Sequence, residues 1–202
     1  MTDLGVRPEG LSELLNLCFE ARPGSVAIVL RDRELSIRRR LALGEQLRSA
    51  TRASGQLLMV ADRLDLLLAL EADGLHIGSA GLLPSRVRPS VAWLSRAGHN
   101  LKELPPEELE SLDAVLISPV FAPLKGKSAL GLDGLSQKCA ELRQSASGAS
   151  PLVYALGGVN EGNASQALLA GCWGVAGISI FLDQERRRKL LRATGTYRSD
   201  LG

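Results

Sequence analysis

The stretch Pro151-Leu152-Val153-Tyr154-Ala155-Leu156-Gly157-Gly158-Val159-Asn160 is followed, after a helical pattern, by Gly171-Cys172-Trp173-Gly174-Val175-Ala176-Gly177-Ile178-Ser179-Ile180-Phe181-Leu182. It reads as two buried parallel strands, Leu152–Ala155 and Gly174–Gly177, joined by one helix over Ala164–Ala170. Each strand runs into a glycine-containing turn. At Gly157-Gly158 the missing Cβ lets backbone N–H groups approach a ligand. Gly177-Ile178-Ser179 offers the same at the head of the last helix. Helix N-termini present unpaired N–H groups and a partial positive charge, so two such turns side by side form a phosphate cradle. One such turn alone would be read as a tight bend. The tandem pair near the C-terminus makes phosphate the preferred reading.

Working outward, the same alternation covers the whole chain. Leu11, Leu14, Leu15, Leu17 and Cys18 keep helical spacing up to Arg22-Pro23-Gly24. Ser25–Leu30 is an apolar strand. Ser36 is an N-cap for a helix to about Ala53, with Gly55 ending it. Gln56–Val60 is the next strand, and Asp62 is placed to cap a helix Arg63–Glu71. A short strand lies within Ala72–Gly78 and another at Val91–Leu94. Pro105-Pro106 opens a short helix, Asp113–Ile117 is a strand, and Asp133 caps a helix to about Gln144. A polar tail is expected from about Thr194.

Strands without polar alternation are covered on both faces, and right-handed crossovers then give a parallel sheet. The expected class is α/β, a single domain over residues 1–202 with seven strand–helix units, one short of a (β/α)8 barrel, that opens with a helix. Loops after strands seven and eight of such a barrel often hold phosphate. A gap in the barrel would expose strand edges and invite self-association.

The bulk numbers exclude several classes. A net charge of +2 in 202 residues argues against nucleic acid and a membrane surface. The runs Arg38-Arg39-Arg40 and Arg186-Arg187-Arg188 read as solvated helix faces. With 3% aromatic residues, base-stacking platforms are not expected. Cys18, Cys139 and Cys172 stand singly and no CxxC occurs, which indicates neither zinc nor a disulfide framework. A reducing, cytoplasmic setting fits, with no leader or membrane span.

Several segments, in order, resemble the thiamine phosphate synthase family, which includes the thiazole tautomerases. They are Leu30-Arg31-Asp32-Arg33, Ala61-Asp62-Arg63-Leu64-Asp65-Leu66, Ala72-Asp73-Gly74-Leu75-His76-Ile77-Gly78, Ser118-Pro119-Val120-Phe121, Leu130-Gly131-Leu132-Asp133-Gly134-Leu135, Leu156-Gly157-Gly158-Val159 and Gly174-Val175-Ala176. The resemblance implies a barrel that binds a phosphorylated thiazole at the C-terminal ends of its strands. It also makes Met1-Thr2-Asp3 the end of the family's first strand, and so implies a (β/α)8 TIM barrel whose first strand is missing or truncated.

It further implies site residues. Arg31 and Lys125 match residues that meet diphosphate, and Arg33 stands where the family has lysine, its alternative reading being a surface salt bridge with Asp32 or Glu34. Lys127 is a substitute for Lys125. Asp62 matches a magnesium ligand, so Mg2+ is implied if the chemistry is synthase-like. His99 matches a histidine implicated in proton transfer on the thiazole, while His76 reads as a packed residue. Gly157, Gly158, Ile178 and Ser179 hold the thiazole phosphate. The departures are specific. Val29 replaces a glutamine that reads the pyrimidine, Ala61 replaces an asparagine on the diphosphate, and Ala97 replaces a serine. The second magnesium aspartate is lost around Ser79-Ala80-Gly81. Expelling diphosphate requires neutralising a highly charged leaving group. Shifting a proton needs one placed acid–base group. The expected activity is therefore thiazole-tautomerase-like, with His99 as acid–base. The alternatives are a thiamine phosphate synthase and a non-catalytic phosphate-ligand binder.

Overall fold

The computed structural model describes residues 1–78, 84–88, 91–98, 105–122, 128–145 and 150–198. The elements are α1 (Gly10–Glu20), β1 (Ala27–Leu30), α2 (Ile37–Ser54), β2 (Leu57–Ala61), α3 (Leu64–Ala69), β3 (Gly74–Ile77), α4 (Pro84–Val87), β4 (Trp93–Ala97), α5 (Pro106–Glu110), β5 (Ala114–Ile117), α6 (Gly131–Ser145), β6 (Leu152–Ala155), α7 (Ala164–Leu169), β7 (Gly174–Val175), a 3-10 turn Ser179–Leu182, and α8 (Gln184–Ala193). The seven strands lie in one sheet in chain order. β1 pairs with β2, and β4 to β7 pair successively, all in parallel. This is the expected α/β barrel-type architecture with seven strands. β3 and β5 are buried at every position; β5 accordingly reads as an unbroken apolar run, while β3 carries the buried His76.

The chain forms two compact units. One comprises Met1–Leu75 with Ile178–Gly202, the other His76–Gly177. An identical device sets strand register in both. In the first unit, Asp73 precedes β3; its N–H donates to the Leu58 carbonyl and its carboxylate accepts the Leu58 N–H and Arg48. In the second, Asp113 precedes β5 and does the same with Leu94 and Arg88. A buried backbone donor that lacked this carboxylate would cost about 1–3 kcal/mol. Before β7 the position is Trp173, which keeps the backbone bond to Val153 and lacks the carboxylate.

The helix signals held at α2, where the Ser36 hydroxyl accepts the Arg39 N–H and Gly55 closes the helix at φ 69°. Others need correction. Asp62 does not cap α3; it has φ 58° and turns its carboxylate to Arg33. Asp133 lies inside the first turn of α6, which begins at Gly131. β4 spans Trp93–Ala97, later than Val91–Leu94, and β7 ends at Val175. The Gly177-Ile178-Ser179 turn heads a 3-10 turn, and the last α-helix starts at Gln184 under an Asp183 cap.

The tail from Thr194 is not a free polar end. Its carbonyl at Thr196 accepts from Arg22 N–H, the Arg198 N–H donates to the Glu20 carbonyl, and Arg192 stacks 4.8 Å from the Tyr197 ring centroid. Neither arginine run is a uniformly solvated face. Arg40 is buried, and Arg187 is fully buried among Glu20, Glu13 and the Phe181 carbonyl. Three consecutive helical residues span about 200° of the helix circumference. One of them must therefore face inward when the helix packs on a neighbour.

At the start of the chain, the Thr2 N–H donates to the Val29 carbonyl at 2.8 Å, one rung of strand-like pairing beside β1. The Thr2 hydroxyl accepts the Arg31 N–H at 2.9 Å and donates to Asp32. Asp32 is fully buried and also accepts the Gly5 N–H. Thr2→Val keeps the shape and leaves a buried carboxylate and an amide each one partner short. It should cost about 1–3 kcal/mol, read as a lower urea midpoint. An unchanged midpoint would discount this network.

Candidate functional site

The first unit gathers charge at the C-terminal ends of β1 and β2. The register pairs Leu30 with Val60, so Arg31 and Ala61 follow side by side. The next residues of each chain then meet, and the exposed Arg33 guanidinium forms an ion pair with the half-buried Asp62 carboxylate. The expected alternative partners of Arg33, Asp32 and Glu34, are not the ones it takes. Arg31 lies 3.8 Å from the Asp3 carboxylate, and its Nε is buried without a hydrogen-bond partner. Just ahead of α3, Arg63 holds Asp65, whose carboxyl is lowered to about 2 by that hydrogen bond.

Beneath these pairs lies Arg40, from the first turns of α2. Its Nε and Nη2 are buried with no partner. Burial lowers its pKa, and Arg63 and Arg33 add to that against Asp32 and Asp65. The β1–α2 and β2–α3 connections are thus richer in cation than the sequence showed. Nothing in the polar run Arg38-Arg39-Arg40 marks which arginine turns inward. Val29 and Ala61, at the positions of the family's glutamine and asparagine, are both buried.

Magnesium takes oxygen ligands, usually one or two carboxylates together with substrate phosphates. Among the described residues no group of three His, Cys, Asp or Glu side chains is placed to hold a metal ion. Asp62 is occupied by Arg33. The described residues do not fit a resident magnesium.

In the second unit, the β5 end and the β6 end are laced together. Val120 N–H donates to the Leu156 carbonyl and Phe121 N–H to the Gly157 carbonyl, at 3.0 and 2.8 Å. Gly157 has φ 94° and Gly158 φ 73°, a region glycine enters without strain. A Cβ on Gly157 would stand 2.9 Å from Pro119 Cα, and one on Gly158 would stand 2.7 Å from Ala122 N. Packing against residues 118–122 therefore requires both glycines, independently of any ligand. The Gly158 carbonyl accepts Asn163 Nδ2 at 3.0 Å. The N–H groups of Gly157 and Gly158 make no hydrogen bond to a described residue, and Gly158 is exposed. The donors that a phosphate cradle needs are thus uncommitted on this side.

Ile178 and Ser179 belong to the first unit; Ile178 accepts the Phe181 N–H, and Ser179 is exposed. His99, Lys125, Lys127 and Ser79-Ala80-Gly81 lie outside the described residues. His76 is buried with Nδ1 2.9 Å from Ser95 Oγ, a packed residue as expected. No helix among the described residues is long and apolar enough to cross a membrane.

Comparison with known proteins agrees with this geometry. A family model described as thiamine monophosphate synthase matches residues 6–181. Thiamine-phosphate synthase of Archaeoglobus fulgidus is 33% identical over 189 residues, 89% of this chain and 86% of that protein. Thiamine-phosphate synthase of Moorella thermoacetica is 36% identical over 166 residues, 79% of this chain and 75% of that protein. Among solved structures, thiamine phosphate pyrophosphorylase from Pyrococcus furiosus superposes with a TM-score of 0.78 at 26% identity. It covers 96% of this chain, and 93% of that chain is matched.

Proposed function

Because the chain belongs to the thiamine monophosphate synthase family, we propose that it works as a thiamine phosphate synthase, joining a phosphorylated thiazole to a pyrimidine diphosphate and releasing diphosphate. It is an enzyme of thiamine phosphate biosynthesis. The relatives' names favour the transfer reaction over the isomerisation expected from the sequence. The observation that carries the reading is the cation-rich junction of β1 and β2, where Arg31 and Arg33 follow β1 and the charges of Arg33 and Arg63 act on the buried Arg40. Negative charge builds on diphosphate as it leaves, and fixed guanidinium groups stabilise it without reorganising. Arg31, Arg33 and Lys125 serve that group. We assign Gly157, Gly158, Ile178 and Ser179 to the thiazole phosphate as N–H and hydroxyl donors, and His99 to proton transfer. The setting is cytoplasmic and both substrates are small molecules.

The test is purified protein with thiazole phosphate, pyrimidine diphosphate and magnesium, followed for thiamine phosphate and diphosphate. Formation of both in equal amounts is expected. Arg31→Ala should lower kcat/KM about 100-fold, the loss typical of one donor to developing charge. Absence of thiamine phosphate would overturn the synthase reading.

A second reading has its own support. Asp62 is engaged by Arg33, and Val29 and Ala61 offer no hydrogen bond to a pyrimidine diphosphate. On that reading the enzyme isomerises the thiazole phosphate carboxylate, with His99 moving the proton. His99→Ala would then lower the isomerisation rate about 100- to 10,000-fold while thiazole phosphate binding stays.

A further inference from the structure

Cys139 on α6 and Cys172 in the turn before β7 have their sulfurs 3.9 Å apart. They read as isolated thiols in the sequence, 33 positions apart. Contact between them follows from the packing of α6 beside the α7–β7 turn. Gly171 makes room for it, since a Cβ there would stand 3.4 Å from Cys139 Cβ and 3.1 Å from an Arg143 guanidinium nitrogen. Both cysteines are buried, yet Cys172 keeps 7% of its surface and adjoins the exposed Trp173. The third cysteine, Cys18, is buried in the other unit and donates to the Leu14 carbonyl.

We propose that Cys139 and Cys172 form a peroxide-oxidisable dithiol, a modification site that closes to a disulfide between α6 and the turn leading into β7. The surroundings favour the chemistry. With Cys139 as the thiolate, the Cys172 S–H can donate to it; that bond lowers the Cys139 thiol against the opposing effect of burial, with Arg143 adding to the effect. Cys172 is correspondingly pushed up by its bond to Cys139. The thiolate is the reactive form. Cys18, by contrast, is pushed up to about 11 by burial and stays a thiol.

The step balances as follows. The Cys139 thiolate attacks one oxygen of hydrogen peroxide, the O–O bond breaks, and hydroxide leaves to be protonated to water. Cys139 is then a sulfenic acid. Cys172 attacks that sulfur, the S–O bond breaks, and a second water leaves. Two thiols are oxidised by two electrons and one peroxide is reduced to two waters. The cross-link closes a loop containing β6, the Gly157-Gly158 turn and α7, so it constrains the element that carries half of the proposed cradle.

The experiment treats the full chain with hydrogen peroxide at neutral pH, quenches, denatures and counts free thiols. Three thiols should fall to one, the mass should drop by about 2 Da for the two lost hydrogens, and peptide mapping should join Cys139 to Cys172. The cross-linked form should melt about 5–10 °C higher, and reductant should reverse the shift. Cys172→Ser should leave Cys139 as a stable sulfenic or over-oxidised product, whereas Cys18→Ser should still form the Cys139–Cys172 cross-link, its two thiols falling to none. Mapping is done on the unsubstituted chain, so the result stands even where a serine variant fails to fold. Retention of three thiols, disulfides only between chains, or a Cys139 adduct without cross-link in the unsubstituted chain would overturn the proposal.

Discussion

Replacing Arg187 by alanine is expected to lower the melting temperature by about 10 °C, since breaking a buried ion pair costs about 3–5 kcal/mol. Arg187 is fully buried on α8. Its Nε donates to Glu20 at 2.8 Å, and its Nη1 donates to Glu13 at 2.8 Å and to the Phe181 carbonyl at 2.9 Å. Glu20, at the end of α1, is itself buried and also takes Arg188. This cluster joins the first helix to the last, 167 positions away. Alanine leaves Glu20 with Arg188 alone and opens a void the size of a guanidinium stem. Calorimetry reads the loss directly.

The pH dependence separates charge from packing. Burial would raise the Glu20 carboxyl, but the hydrogen bonds and charges of Arg187 and Arg188 outweigh it and hold the group below its ordinary value. A depressed carboxylate contributes stability that is present above its unfolded pKa, about 4.3. That stability is lost as pH falls through the folded value. The gap between wild type and Arg187→Ala should therefore narrow as pH falls below about 4. A gap that stays constant from pH 7 to pH 3 would mean that shape, rather than charge, is what Arg187 supplies.

The same arginine shows what could be read from the chain alone. Strand runs such as Ala114–Ile117 and the glycine stop at Gly55 are local signals, set by burial on both faces and by a left-handed cap, and they are where the sequence places them. Which of Arg186, Arg187 and Arg188 turns inward depends on the partner helix, and the partner is far away in sequence. Asp62 had two local readings, helix cap and metal ligand. The outcome depended on register, because pairing Leu30 with Val60 delivers Arg33 to it. Cys139 and Cys172 are the same case, since only packing makes them neighbours. In the candidate site, Arg31, Arg33, Gly157 and Gly158 were visible as strand-end residues. Arg40 was not, because a buried guanidinium on a polar helix has no sequence mark.

Gly158→Ala carries the other large effect, because it strikes the fold and the phosphate reading together. An alanine at φ 73° enters a region that costs an L-residue about 1–2 kcal/mol. Its Cβ would meet Ala122 Cβ and Ala122 N, each at 2.7 Å. A backbone nitrogen cannot rotate away, so residues 118–122 must move, and forced overpacking adds about 1–3 kcal/mol. The urea midpoint should fall accordingly. Shifting those residues also pulls on the Phe121 N–H bond to the Gly157 carbonyl, which sets the direction of the neighbouring N–H groups. Thiazole phosphate should therefore bind about tenfold more weakly, the effect of about 1.4 kcal/mol lost from a hydrogen-bonded anion. Ala122→Gly in the same chain removes one of the two clashes and should recover part of the midpoint. It should not recover the affinity, since the strained φ at position 158 remains. A variant that loses stability yet binds thiazole phosphate with unchanged Kd would leave Gly158 as a packing residue and remove it from the cradle. An unchanged midpoint would contradict the close approach of the two loops, and with it the reason for glycine at this position.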